Sequence, residues 1–187
     1  MLTINLSKSE SGQAQVTYLG HVVGQGEVKL VRPKVEAIAN FPPPEIQKQL
    51  MRFLGMARFY RRFCRNFVAV AEPLTQLFSK SIRFIWSYRC DKAFEELKAM
   101  LQSAPVLTAP DFKSPFKLAV DASDVAAGAV LLQEDDEGVE HPVCYFSKKF
   151  NKSQNNYSTI VKVSSTSIST AAFRSFCHFF WFAYCCL

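Results

Sequence analysis

The sequence lacks the features of disulfide-rich, zinc-binding and secreted proteins. Its six cysteines are irregularly spaced, form no CxxC pair and follow no secretory signal. This pattern predicts reduced thiols in a cytosolic or nuclear protein and argues against a zinc site. The chain also lacks an apolar run of the roughly 20 residues that span a bilayer. The apolar stretch at 176–187 is shorter than that, so we expect no membrane partner.

The chain is long enough for one sizeable hydrophobic core or two small ones. Its 187 residues are 49% hydrophobic, which is sufficient for a globular fold. The formal net charge of +6 favours polyanionic partners such as nucleic acid, although many soluble proteins carry a similar excess.

Acidic residues are absent between positions 46 and 71, where six basic residues occur. Apolar residues at helical spacing predict that a helix, the longest of the chain, begins at Glu45. Arginines then recur at i, i+3, i+4 and i+7, which predicts four guanidinium groups on one stripe: Arg58, Arg61, Arg62 and Arg65. Without acidic partners nearby these arginines repel one another. The stripe is therefore either a solvated face or a surface that follows a nucleic-acid backbone and binds less tightly as salt rises.

Apolar periodicity also predicts a hairpin and two further helices. The hairpin covers residues 16–32, with Gly24-Gln25-Gly26 as its turn. One helix covers 33–40, and another follows Ser87, which would cap it. The buried face of this last helix is predicted to carry Cys90, Phe94, Leu97 and Leu101.

Two antiparallel strands are predicted at 116–123 and 128–133, and a third at 142–147. Asp121 lies at the end of the first strand, which we expect to be buried. A buried carboxylate must be hydrogen-bonded, paired or bound to a metal ion, so metal binding is one interpretation. The acidic residues at 134–140, with Asp135-Asp136 among them, predict a solvated loop with His141 exposed beside it.

The region from 105 to 149 resembles the opening of the RNase H domain in gypsy-type LTR retrotransposon polyproteins. The resemblance is specific because many positions recur in one order over about fifty residues: Pro105-Val106-Leu107, Pro110-Asp111-Phe112, Asp121-Ala122-Ser123, Gly128-Ala129-Val130-Leu131 and Phe146-Ser147-Lys148-Lys149. It implies that Asp121 is the first of four acidic residues that hold two Mg²⁺ ions. In that family these ions serve to cut the RNA strand of an RNA–DNA hybrid.

The first part of the chain is similar to the polymerase region of the same family. Tyr18-Leu19-Gly20 resembles the hairpin that grips the primer terminus, which implies nucleic-acid contacts for Tyr18 and Gly20; a purely structural turn is the alternative. Residues 49–63 resemble the thumb, and the resemblance implies that the arginine stripe contacts nucleic acid.

The expected fold class is α/β (α+β), with a helical thumb and connection region before a truncated RNase H-like mixed sheet. The resemblance implies the end of a reverse transcriptase palm at 1–34, thumb and connection helices at 35–102, and a proline-rich tether at 103–115. A truncated RNase H-like domain at 116–160 and a tail outside the family at 161–187 follow.

Two departures from the family predict a catalytically inactive chain. The Tyr/Phe-x-Asp-Asp turn of the polymerase has no counterpart, and Val161-Lys162-Val163 stands where the family has Glu-Lys-Glu, whose second Glu binds metal. A single carboxylate binds Mg²⁺ weakly and cannot hold two cations. We also expect a frameshift or splice boundary near Val161.

Three functional hypotheses follow. The chain is an inactive fragment of a reverse transcriptase with RNase H, a remnant that binds an RNA–DNA hybrid or duplex without cutting it, or a pseudogene-like product without function. In each case truncation would leave the strand of Asp121 as an apolar edge that can self-associate.

Overall fold

The computed structural model describes residues 12–79, 83–123 and 126–151. A first antiparallel sheet contains strands β1 (Val16–Tyr18), β2 (His21–Gly24), β3 (Glu27–Leu30) and β4 (Leu107–Thr108), in that order. A second contains β5 (Lys117–Ala122), β6 (Ala126–Glu134) and β7 (Glu140–Lys149), also in chain order. The described structure therefore combines helices with antiparallel sheets, as the predicted α+β class requires.

The predicted hairpin at 16–32 is instead a three-stranded meander with two tight turns. The first turn contains Leu19 and Gly20 with φ of 45° and 77°, and the second contains Gln25 and Gly26 with φ of 55° and 74°. Two successive positive φ values are the backbone of a two-residue hairpin turn. The predicted turn at 24–26 is therefore present, and a second turn at Leu19-Gly20 divides the first half of the predicted hairpin into two strands.

Five α-helices lie in the described ranges, and a single turn of 3₁₀ helix at Arg61–Phe63 follows the second of them. The predicted helix at 33–40 is confirmed within one residue. Among the described helices, none combines the length and apolarity that a bilayer crossing requires. The helices are α1 (Arg32–Ala39), α2 (Gln47–Phe59), α3 (Phe67–Val70), α4 (Glu72–Gln76) and α5 (Tyr88–Gln102).

The helix predicted from Glu45 is shorter than expected. It is α2, which has 13 residues against 15 in α5 and ends before Tyr60. Asn66 then adopts a left-handed backbone with φ of 53°, which prevents a continuous helix through this region. Helical spacing therefore does not extend to Arg65.

The predicted buried face of α5 is confirmed, and α2 buries most of its helically spaced apolar residues, with Leu54 partly buried. Phe53 of α2 and Phe94 of α5 are fully buried, and their ring centroids lie 4.4 Å apart. Lys98 of α5 lies over the Phe94 ring and donates a hydrogen bond to the Phe41 carbonyl at 3.3 Å. The buried residues of the two faces are Leu50, Phe53 and Ala57 in α2, and Cys90, Ala93, Phe94, Leu97 and Leu101 in α5.

The segment predicted as a tether contributes to the first sheet. Leu107 of β4 pairs with Val28 of β3, and both side chains are fully buried. Burial of apolar surface, rather than proline stiffness alone, therefore holds part of residues 103–115 in place.

The second sheet confirms the three predicted strands but not the predicted burial of the first. In the described ranges β5 pairs with β6 alone, so it lies at the edge of the sheet. Leu118 is 45% exposed, and Asp121 is exposed. Four of the six residues of β5 are exposed and the other two are partly buried, so the apolar composition of 116–123 did not indicate burial.

The helices pack against the second sheet through β7. The Val68 amide of α3 donates to the Ser147 hydroxyl at 3.2 Å, and Lys149 forms a salt bridge with Glu72 at 3.2 Å. The resemblance implies a first nuclease helix that begins at 157–160. That helix and the predicted changes from position 161 onward lie outside the described residues.

Candidate nucleic-acid interface

The β1–β2 turn is seated on the C-terminal end of α2. The Tyr60 hydroxyl donates a hydrogen bond to the Gly20 carbonyl at 3.2 Å. A Cβ added at Gly20 would lie 3.2 Å from Cε1 of Phe59, and the φ of 77° already disfavours other residues. Tyr18 ends β1 directly before this turn. The structure thus places Gly20 against the C-terminal end of α2, with Tyr18 two residues before it in the chain.

His21, which sequence reasoning missed, fills the space beneath this turn. Its ring stacks on Phe59 with centroids 5.3 Å apart and an interplanar angle of 5°. The Phe63 ring also stacks on the imidazole, with centroids 5.6 Å apart and an interplanar angle of 28°. The Tyr60 ring meets the imidazole edge-on, with centroids 5.6 Å apart. Burial, with repulsion from Arg62 second, lowers the pKa of His21 from 6.5 to about 4. The imidazole is therefore neutral at physiological pH.

Recognising a turn at Leu19-Gly20 in the sequence would have indicated that His21 is buried. Placed directly after that turn, His21 starts a strand whose alternate residue, Val23, is apolar. His21 and Val23 are both buried in the structure, at 1% and 6% exposure.

The predicted arginine stripe is not one stripe. Arg58 lies in the last turn of α2, Arg61 and Arg62 form the 3₁₀ turn, and Arg65 follows it in an irregular segment. Arg58, Arg61 and Arg65 are exposed, whereas Arg62 is partly buried. Desolvation lowers the pKa of Arg62; the nearby Cys144 opposes this shift and Arg61 adds to it. Arg62 is therefore partly covered near Cys144 of β7, and its predicted nucleic-acid contact stays a prediction.

Two further basic residues lie on the exposed face of α2. Lys48 and Arg52 are four positions apart, and both are exposed. Met51 and Gly55 are exposed on the same helix, so apolar surface lies beside the basic side chains. Sequence reasoning counted both cations but gave them no role, although their i, i+4 spacing is visible in the sequence.

Asp121 faces a small cleft on the second sheet. It pairs with Gly128 across the strands, and Gly128 pairs with Ser147. The Asn66 side chain lies over Gly128 so closely that an added Cβ would collide with its Oδ1. The cleft has a volume of about 40 Å³, and Asp121, Asn66, Ser123 and Ser147 are among its lining residues.

The described residues do not fit a two-metal centre at Asp121. Within the described ranges, no three His, Cys, Asp or Glu side chains cluster closely enough to hold a metal ion. Several carboxylates are required to hold two cations on either side of a phosphate. A single carboxylate binds Mg²⁺ only weakly. No catalytic step through a metal follows from this geometry.

The acidic loop before β7 is exposed, as predicted. Asp135 accepts hydrogen bonds from the amides of Glu137 and Val139, and its other oxygen lies 2.7 Å from Nε2 of His141. The His141 contact, followed by the Val139 amide, lowers the pKa of Asp135. His141 is paired and partly covered rather than freely exposed.

Sequence comparison shows the family. The family described as "RNase H-like domain found in reverse transcriptase" matches residues 86–184, more than half of the chain. The chain belongs to this family. The match begins before α5 and crosses position 161, where the resemblance was expected to end, and the domain boundaries stay predictions.

Proteins similar in sequence to this chain are retrotransposon polyproteins. The Retrovirus-related Pol polyprotein from transposon opus of Drosophila melanogaster is 41% identical over 172 residues, covering 86% of this chain and 17% of the relative. Transposon Tf2-3 polyprotein of Schizosaccharomyces pombe is 36% identical over 157 residues, covering 84% of this chain and 12% of the relative. The chain thus spans less than a fifth of these relatives. It is a reverse transcriptase and RNase H-like region of a retrotransposon Pol polyprotein, as the sequence predicted.

Solved structures share the fold. The foamy viral protease-reverse transcriptase in complex with dsDNA has a TM-score of 0.73 and 25% identity, covering 88% of this chain and 34% of that one. The same viral protein in complex with an RNA/DNA hybrid also has a TM-score of 0.73 and 25% identity, covering 88% of this chain and 22% of that one. The prediction of a reverse transcriptase-type architecture is confirmed.

Proposed function

We propose that this chain grips an RNA–DNA hybrid or duplex for a retrotransposon reverse transcriptase and does not cut it by itself. The observation that carries the proposal is the joining of an exposed basic helix face to the β1–β2 turn. Lys48 and Arg52 lie on α2, and the turn is bonded to Tyr60 directly after that helix.

The charges on this surface are available for phosphates. In the described part of the chain, no salt bridge joins a carboxylate to Lys48, Arg52, Arg58, Arg61 or Arg65. Desolvation, with repulsion from Arg58 second, lowers the pKa of Arg61, which indicates positive charges close together. A polyanion would relieve this repulsion.

The comparison with the foamy viral protein supports a nucleic-acid partner. That protein is described in complex with dsDNA and with an RNA/DNA hybrid. We extend this binding to the present chain because the match covers 88% of it at a TM-score of 0.73. Tyr18 and Gly20 are proposed contacts of the strand terminus, and Arg58, Arg61 and Arg65 are proposed phosphate contacts.

Binding is tested by fluorescence anisotropy with a labelled RNA–DNA hybrid at several salt concentrations. If three to five phosphates are neutralised, affinity falls roughly 40- to 500-fold between about 50 and 200 mM salt. Replacing both Lys48 and Arg52 by Gln is expected to flatten the salt slope by about two phosphate contacts. Lys92→Gln on the exposed face of α5 is the matched control. A salt slope unchanged in the double variant would contradict the proposed surface.

The absence of cutting is proposed because, within the described ranges, Asp121 has no cluster of metal-binding side chains around it. Mg²⁺, the expected family cofactor, would be held weakly by this one group. A cleavage assay with Mg²⁺ or Mn²⁺ beside Asp121→Asn tests the proposal. Metal-dependent cutting that disappears in the variant would show a complete nuclease site; a chain that neither cuts nor binds would favour a product without function.

A further inference from the structure

The β1–β2 turn has few anchors of its own. β1 is only three residues long, and Leu19 at the turn is 60% exposed. Both turn residues have positive φ, which for Leu19 is a strained conformation. Short strands and a strained turn hold their position only through contacts with other elements.

Contacts with the end of α2 supply that anchoring. The Tyr60 hydroxyl reaches the Gly20 carbonyl across 40 positions of sequence. His21 places its ring between Phe59 and Phe63, with Tyr60 at its edge. His21 and Tyr60 are 1% and 3% exposed, so these two residues form the buried joint between the turn and the helix.

A groove opens beside this joint. It has a volume of about 500 Å³, and its lining includes Leu19 and Gly20 from the turn, Phe59 and Tyr60 from the end of α2, and Lys34 from α1. Because one wall of the groove is open, the joint is the contact that fixes the turn on the helix.

We propose that His21 and Tyr60 are positioning residues that couple the β1–β2 turn to α2, so that the turn and the basic helix present one rigid grip to a duplex. This inference rests on the proposed nucleic-acid binding. Neither residue touches the duplex. They act by removing the freedom that the turn would otherwise lose on binding, and such preorganisation increases affinity without a new contact.

Three variants separate the parts of the joint. Tyr60→Phe removes only the hydroxyl that donates to Gly20. His21→Ala removes the stacked ring, and His21→Phe restores an aromatic ring in its place. Tyr88→Phe is the matched control, because Tyr88 is 82% exposed at the start of α5.

Hybrid affinity and its salt dependence are measured for each variant. Tyr60→Phe and His21→Ala are each expected to weaken binding about 3- to 10-fold, the range expected for one lost hydrogen bond or a comparable packing contact. The salt slope should be unchanged because the phosphate-binding cations remain. His21→Phe should restore most of the affinity, and Tyr88→Phe should match the wild type.

The outcomes distinguish the two proposals. If the wild type binds the hybrid and both Tyr60→Phe and His21→Ala bind it with the same affinity as the wild type, the coupling is overturned and the proposed function stands. A reduced salt slope in these variants would also overturn it, since they would then act on the cations. A wild-type chain that does not bind the hybrid would overturn both. If His21→Ala fails to fold, Tyr60→Phe decides the question, with circular dichroism confirming its fold.

Discussion

Lowering the pH from about 7.5 to 5 is expected to destabilise this protein through His21. The folded-state pKa of His21 is about 4, and the ordinary value is 6.5. The unfolded chain therefore takes up a proton as the pH falls below 6.5, whereas the folded chain takes it up only near pH 4. Stability is fully present above pH 6.5 and decreases as the pH falls toward 4.

The magnitude follows from the same two pKa values. One pKa unit corresponds to about 1.4 kcal/mol, so the whole shift is worth on the order of 3 kcal/mol. At pH 5 roughly 2 kcal/mol of this should be lost. The His21 side chain is 1% exposed, so solvent screening does not reduce the effect appreciably. Arg62, the second cause of the shift, keeps its charge throughout this pH range.

Urea unfolding at a series of pH values measures the effect in the wild type and in His21→Phe. Glu72 and Asp135 also have lowered pKa values and lose stabilising interactions in acid. Their contribution is common to both proteins and cancels in the difference. The difference in unfolding free energy should change by about 2 kcal/mol between pH 7.5 and 5. A difference that is constant over this range would refute the argument.

Three further predictions concern packing. Phe53→Ala should lower the unfolding free energy by about 3–5 kcal/mol, because the ring is fully buried against Phe94; denaturant unfolding checks this, and a loss below about 1 kcal/mol would contradict it. Gly128→Ala should lower the melting temperature because its Cβ meets the Asn66 amide, and an unchanged value would show that Asn66 moves freely. Leu118→Lys on the β5 edge should reduce self-association in light scattering, since a charge disfavours edge pairing; a wild type that is monomeric at high concentration would show that the edge does not pair.

Local patterns in the sequence were sufficient for the family, the helical faces and the strands of the second sheet. The apolar residues of α2 and α5 recur at helical spacing, and burial follows that spacing because it is a property of the helix itself. The Asp121-Ala122-Ser123 and Gly128-Ala129 motifs likewise indicated the family directly.

The site depended on contacts that no local pattern contains. Asn66 interrupts the helical spacing, and Arg62 is partly covered near Cys144 of β7 while Arg58, Arg61 and Arg65 stay exposed. That outcome is set by packing across more than 80 residues, which charge counting does not include.

The sequence by itself determined the family, the buried face of α5 and the three strands of the second sheet, because each of these follows from a local pattern. Only the tertiary structure decided that His21 lies in an aromatic cage beneath a turn bonded to Tyr60. Periodicity is local, because it depends on neighbours within one or two turns of chain. Cages, buried charges and edge strands depend on which distant segments exclude water from one another.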